Sequence, residues 1–127
     1  MSIVAGTSLR FHKLPGRRSA DPLAAMGATS SMRVVELERS SRRTAHRHPH
    51  SEEVIYVVAG KGSVWIKGEV TMVGVGDTVH VPAGILHATV PDPGETMRLV
   101  CFLPHPDLVN NAEETDMEVS PDGEGER

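Results

Sequence analysis

The sequence predicts an all-β domain, and three observations support this class. Sixteen of the 127 residues are valine, whose stiff branched side chain favours the half-buried surface of a sheet. From residue 32 onward, short apolar stretches alternate with glycine and proline. No convincing helical pattern of about ten residues or more interrupts them. Many short strands with such punctuation are typical of a sandwich or barrel.

The predicted strands are short apolar or alternating segments bounded by turn residues. They cover residues 32–39, 53–59, 63–67, 70–73, 78–81, 86–90 and 96–103. Gly60 and Gly62 are expected to form a hairpin turn after the second of these strands, and Gly76 with Asp77 another before the fifth. Pro82 and Gly84 would end the fifth strand and redirect the chain.

Composition divides the chain into three parts. Residues 1–30 are poorly patterned and are expected to form an arm or edge strand, whereas residues 31–110 carry the predicted strands of the barrel domain. Residues 111–127 hold seven acidic side chains against one basic one. A segment of that composition buries too little apolar surface to offset its ordering entropy, so this tail is predicted to be disordered.

Charge, cysteine usage and hydropathy argue against several functional classes. Residues 1–110 have a formal charge of only +2, which gives no basis for nucleic-acid binding. Cys101 is the only cysteine, so it is expected to be a small core residue rather than part of a disulfide or a multi-cysteine metal site. No leader pattern or long apolar span is found, and the expected location is therefore cytoplasmic, without membrane contact.

Histidines are concentrated just ahead of the second predicted strand. His46, His48 and His50 alternate in AHRHPHSEE, and on an extended chain residues at i and i+2 share a face. His46 and His48 can therefore hold one metal ion, whereas a turn after Pro49 leaves the direction of His50 open. The parity of the strand alone does not choose between Glu52 and Glu53 as a further ligand.

Two motifs in this region resemble those of the cupins. The first reads His46, one residue, His48, four residues, Glu53, six residues and Gly60. The second reads Gly76, five residues, Pro82, Ala83, Gly84, two residues and His87. Seven matched positions in the family's order are far more specific than an isolated HxH.

This resemblance implies a double-stranded β-helix, or jelly-roll barrel, with one metal site inside. The implied ligands are His46, His48, Glu53 and His87. Three imidazoles and one carboxylate suit a divalent ion such as iron, manganese, nickel, cobalt, copper or zinc, and such a set leaves open positions for water or substrate. The family also implies a homodimer, to which the first thirty residues could contribute an exchanged edge strand.

The expected function is that of a metal-dependent enzyme acting on a small organic molecule. Two versions remain open: a dioxygenase, and an isomerase, lyase or cyclase that works by Lewis-acid chemistry. His50 and His80 are candidates for moving protons, and Arg98 could bind an anionic substrate if it faces inward. The alternative is a non-catalytic module that binds a small ligand or senses a metal, because fold and metal site do not name a reaction.

Overall fold

A computed structural model of the protein describes residues 2–39, 43–119 and 125–126, and in this part of the chain the secondary structure is almost entirely strand. A single 3-10 turn, Gly6–Ser8, precedes the strands. In chain order the strands are β1 (His12–Leu14), β2 (Arg17–Ala20), β3 (Ser31–Leu37), β4 (Arg43–Arg47), β5 (Glu53–Ala59), β6 (Lys61–Ile66), β7 (Glu69–Gly74), β8 (Thr78–Val81), β9 (His87–Pro91), β10 (Met97–Leu103), β11 (Glu113–Val119) and β12 (Gly125–Glu126).

The strands form two six-stranded antiparallel sheets. The first has the order β1-β2-β3-β10-β5-β8, and the second has the order β12-β11-β4-β9-β6-β7. The predicted all-β class is confirmed. Each of the seven predicted strands corresponds to an observed one, with ends that differ by at most two residues.

The turns around Gly60 and Gly76 are not hairpins, and that prediction is wrong. β5 and β8 belong to the first sheet, whereas β6 and β7 belong to the second, so the chain crosses between sheets at both places. Gly60 has φ +81°, and a Cβ there would lie 2.0 Å from the carbonyl oxygen of Thr96. Only glycine allows this close approach, because any side chain would collide with the backbone of β10's leading residues.

The second correction concerns the acidic tail. Residues 113–119, for which composition predicted disorder, form β11 and pair with β4. Val119 is buried and belongs to an apolar cluster with Ala45 and Trp65. The prediction failed because average composition ignores pairing: β4 supplies backbone partners for an acidic strand that has only one fully buried side chain. The rest of the predicted tail, residues 120–124 and 127, lies outside the described residues.

The N-terminal segment extends the first sheet. β1 and β2 form a hairpin through residues 15 and 16, and β2 pairs with β3 of the same chain. The expected homodimer and the exchange of an edge strand stay predictions. Within the described residues no helix is long and apolar enough to cross a membrane.

The main core lies between the two sheets and is aliphatic. It is built mainly from alternate residues of β3, β5 and β10, among them Val35, Ile55, Val57 and Leu99. Burial of such side chains is the dominant favourable term in folding. Cys101 belongs to this cluster and is buried, as expected. One end of the same interior is polar, and the predicted site residues lie there.

Candidate metal centre

Sheet pairing brings two of the predicted histidines together. β4 and β9 are neighbours, and His46 lies directly opposite His87 in their register. Their ring centroids are 4.3 Å apart. His48 follows β4 immediately, and its ring centroid lies 5.2 Å from that of His46 and 5.5 Å from that of His87. Three imidazoles separated in sequence by up to 41 positions therefore meet at one point.

The turn before β9 fixes the third histidine to the first motif. The backbone N–H of Gly84 donates to the carbonyl oxygen of His48 at 2.8 Å. Gly84 has φ +78°, a left-handed conformation that glycine adopts without strain. Pro82 and Gly84 thus redirect the chain at the place where the sequence predicted a turn toward the histidines.

The strand register decides between the two neighbouring glutamates. Glu53 opens β5 on the inward face with Ile55 and Val57, and its side chain is only 1% exposed. Glu52 is exposed and lies 2.6 Å from Nε2 of His80, which is exposed as well. The choice that the resemblance made for Glu53 agrees with this placement. Parity alone had left it open because either face of β5 could have been the interior.

The four side chains form one compact group. Each of His46, His48, Glu53 and His87 offers a ligand atom, and these atoms all lie within 4.8 Å of one another. Oε1 of Glu53 is 2.8 Å from Nε2 of His87 and 3.3 Å from Nε2 of His48. The group therefore has the size and the donor atoms of a site for one divalent ion.

Hydrogen bonds to the far nitrogens set the tautomers of two histidines. Nδ1 of His48 donates to the carbonyl oxygen of Asn111 at 2.7 Å, and Nδ1 of His87 donates to the carbonyl oxygen of Ile85 at 2.9 Å. In a neutral ring the other nitrogen, Nε2, is then an acceptor. Such backbone partners are typical of metal-binding histidines, whose orientation they fix.

Acceptor atoms consequently face one another inside the barrel. Nε2 of His87 and Oε1 of Glu53 are both acceptors in the neutral tautomer, yet they lie 2.8 Å apart. Nε2 of His46 and Nε2 of His48 are buried, and among the described residues neither has a hydrogen-bond partner. Buried acceptors at this separation need a cation between them, either a proton or a metal ion. The residues present therefore fit a metal ion.

The protonation of the group suits ligation. Burial lowers the pKa of His46 well below its usual value, and the nearby His87 and Arg33 lower it further, so the ring is neutral. Burial alone would raise the pKa of Glu53. The contacts with His48 and His87 and the charge of Arg33 outweigh burial and hold that pKa well below its usual range. The group thus combines neutral imidazole with a carboxylate, as a divalent ion requires.

Two residues of the site were missed in the sequence. Arg33 on β3 donates from a terminal guanidinium nitrogen to Oε2 of Glu53 at 2.9 Å. Its signal was available, because Arg33 shares parity with the apolar residues Val35 and Leu37 of a predicted strand. Asn111 is fully buried and holds His48, but its position in the acidic tail gave no signal.

The remaining candidates lie apart from the metal group. His50 is exposed and stacks on the ring of His105 at 5.6 Å, and His80 faces outward beside Glu52. The structure does not bring either into the His/Glu group, and their proton-transfer role stays a prediction. Arg98 also faces outward, 3.7 Å from Glu36, rather than into the interior.

Comparison with known families identifies the chain. The family model described as "Cupin domain" matches residues 33–103, which is more than half of the sequence. The chain belongs to the cupins. The match spans β3 to β10 and includes all four residues of the metal group, and the expected jelly-roll fold is thereby confirmed. No curated protein matches the sequence.

Solved structures show the same cupin fold at low sequence identity. The polyketide cyclase RemF from Streptomyces resistomycificus is 21% identical with a TM-score of 0.74, covering 95% of this chain and 89% of its own. The oxalate decarboxylase of Lactobacillus farciminis is 20% identical with a TM-score of 0.73 over 85% of this chain but only 34% of its own. The nucleoside dehydratase Pac13 is 15% identical with a TM-score of 0.71 over 91% of both chains.

Proposed function

We propose that this cupin is a metal-dependent enzyme that converts a small organic molecule by redox-neutral chemistry, as an isomerase, lyase or cyclase. The observation that carries the proposal is the meeting of buried acceptor atoms from His46, His48, Glu53 and His87 within 4.8 Å. A bound divalent ion would supply Lewis-acid polarisation of a substrate oxygen.

The protein's own residues would prepare this site in three ways. The carbonyl oxygens of Ile85 and Asn111 hold the rings of His87 and His48 with Nε2 toward the centre. Arg33 holds Glu53 through Oε2 and leaves Oε1 directed at the histidines. The aliphatic core beside the group keeps bulk water out, which strengthens electrostatic interactions at the reacting atoms.

The related folds support the redox-neutral version without selecting a reaction. One is named as a polyketide cyclase and another as a nucleoside dehydratase, and both are matched over about nine-tenths of their own chains or more. The dioxygenase version remains an outcome of the test, as does a non-catalytic module that binds a metal or a small ligand.

Elemental analysis of protein purified without chelator tests the metal part of the proposal. We expect about one transition-metal ion per chain, because four ligand residues hold a single ion. The content should fall strongly in His87→Gln and Glu53→Gln and remain unchanged in the matched control His80→Gln. Wild-type protein that is stable and free of metal after supply of each candidate ion would contradict the proposal.

Turnover assays separate the reaction classes once the metal is identified. Conversion of a candidate substrate without dioxygen supports the isomerase, lyase or cyclase version. Strict dependence on dioxygen uptake supports the dioxygenase version instead. Tight metal binding with no turnover across hydroxylated or carbonyl-containing compounds would favour the binding module.

A further inference from the structure

Three arginines converge on the cavity that contains the metal group. The cavity measures about 30 Å³. Its wall includes His46, Glu53 and His87 together with Arg17, Arg33 and Arg43, and aliphatic residues of β3, β5 and β10 complete it. Neither the motifs nor the expected ligand set accounts for this concentration of guanidinium groups.

Arg33 lies deepest in the cavity. Its side chain is 16% exposed and its ion pair with Glu53 measures 2.9 Å. The Nε atom of Arg33 is buried, and within the described ranges it has no hydrogen-bond partner. A guanidinium group has five N–H donors in a planar fork, so Arg33 retains donors after binding Glu53.

Arg17 and Arg43 lie where the two sheets meet. Arg43 donates from a terminal nitrogen to the carbonyl oxygen of Gly16 at 3.1 Å, and this contact joins the start of β4 to the β1–β2 turn. Arg17 contacts Glu114 of β11 at 3.1 Å across the same seam. Burial lowers the pKa of Arg43 to about 10, and the charge of Arg17 adds to this effect. Arg43 is therefore a charged group in surroundings that do not fully compensate it.

The sign of the charge in this cavity indicates its ligand. Arg33 is balanced by Glu53, but Glu114, the partner of Arg17, is half exposed and offers only a screened charge. A divalent ion on the histidines would make the cavity more positive still. Charged groups removed from water require a charged partner, and a planar guanidinium matches the two oxygens of a carboxylate.

We propose that Arg17 and Arg43 form a carboxylate-binding subsite beside the metal group, so that the substrate is a compact organic acid. Its carboxylate binds at the seam between β2 and β4, and the rest of the molecule extends toward the histidines. Arg33 is a positioning residue that holds Glu53. The term substrate rests on the proposed function, whereas binding of the acid does not require catalysis.

Calorimetric titration with malonate tests the subsite directly. The neutral analogue malonamide is the matched ligand, and the ionic strength is held constant because exposed charge interactions are screened by salt. We expect malonate to bind metal-free wild-type protein and malonamide to bind at least tenfold more weakly. Equal affinity for the two ligands would overturn the proposal.

Variants assign the binding to the named arginines. Arg43→Gln should weaken malonate binding by about tenfold or more, since it removes a charged donor. Arg17→Gln provides a second variant if Arg43→Gln does not fold. The control Arg98→Gln changes an arginine on the outer face and should leave the affinity unchanged. Glu114→Gln removes a competing carboxylate and should strengthen binding, whereas weaker or unchanged binding would contradict the role of Arg17.

Metal-free and metal-loaded protein distinguish this proposal from the proposed function. A protein that takes up one metal ion per chain but binds malonate no better than malonamide in both forms would retain the metal-dependent function and lose the subsite. Malonate binding that depends on Arg43, in a protein that takes up no metal, would retain the subsite and overturn the metal-dependent function.

Discussion

Two adjacent glutamates form two histidine contacts that differ in almost everything except their chemistry. Glu53 and His87 lie 2.8 Å apart inside the barrel, and each side chain is 1% exposed. Glu52 and His80 lie 2.6 Å apart on the outside, and each is more than half exposed. The pleat of β5 and its neighbours directs one pair inward and the other outward.

The difference shows that burial, not residue type, makes a functional group here. An exposed pair in water gains little, because solvent screens its charges and both side chains lose freedom. The buried pair belongs to a group that includes Arg33 and two further histidines, so removal of one member leaves others without compensation. The predictions below test this contrast.

The largest expected effect is on the stability of the metal-free protein. Glu53→Gln leaves Arg33 buried without its carboxylate, and loss of one partner from a buried pair typically costs about 3–5 kcal/mol. Glu52→Gln removes a surface contact and should change the free energy of unfolding by at most about 1 kcal/mol. Urea denaturation of both variants measures the difference. Equal losses would show that the buried contact has no special weight.

Metal addition should sharpen the contrast. A ligand at about a hundred times its Kd stabilises the native state by about 2.7 kcal/mol. We expect a shift of this size in wild-type protein and in His80→Gln when a suitable divalent ion is added. His87→Gln should show a much smaller shift. The midpoint of urea unfolding with and without Mn²⁺, Co²⁺, Ni²⁺ or Zn²⁺ provides the measurement, and a shift in His87→Gln as large as in wild type contradicts the site.

Asn111 tests whether the support of His48 matters. Its side chain donates to Oγ of Ser51 at 2.8 Å and accepts from the backbone N–H of His50 at 2.8 Å. Asn111→Ala would leave both groups without this partner and should cost about 1–3 kcal/mol in stability. The neighbouring Asn110 is exposed and bonds Asp107, so Asn110→Ala is the matched control. Similar losses in the two variants would contradict a special role for Asn111.

The smallest effect concerns the thiol of Cys101. Burial raises its pKa to about 12, and the charge of Glu53 raises it as well. At pH 8 only about one thiol in ten thousand would then be ionised, so iodoacetamide should label the native protein extremely slowly and the urea-unfolded protein rapidly. Glu53→Gln should increase native labelling, whereas Glu52→Gln should not. Fast labelling of the native wild type would show that the interior is open.

Much of the fold could be predicted because strand signals are local. The seven strands between residues 31 and 103 follow from apolar periodicity and from the glycine and proline residues that bound them. β11 could not be predicted in the same way. Its residues are mostly acidic, and it is a strand because β4 provides its backbone partners and Val119 reaches an apolar cluster.

The site divides along the same line. His46, His48, Glu53 and His87 were found because their spacing matches two cupin motifs. Asn111 was missed since its contact with His48 spans 63 positions and no local pattern records it. Arg33 and Arg43 lie on strands flanking the cavity, but only the packed structure shows that their guanidinium groups share it with the histidines.

By itself the sequence determined the all-β class, the order of most strands and the four residues suited to a metal ion, because each depends on spacing within a short stretch of chain. The tertiary structure alone decided which glutamate is buried in the interior, what holds His48 in place and how many arginines surround the cavity. The physical reason is that burial and charge compensation arise between strands from different sheets, and their strength depends on distances in space that residue order does not contain.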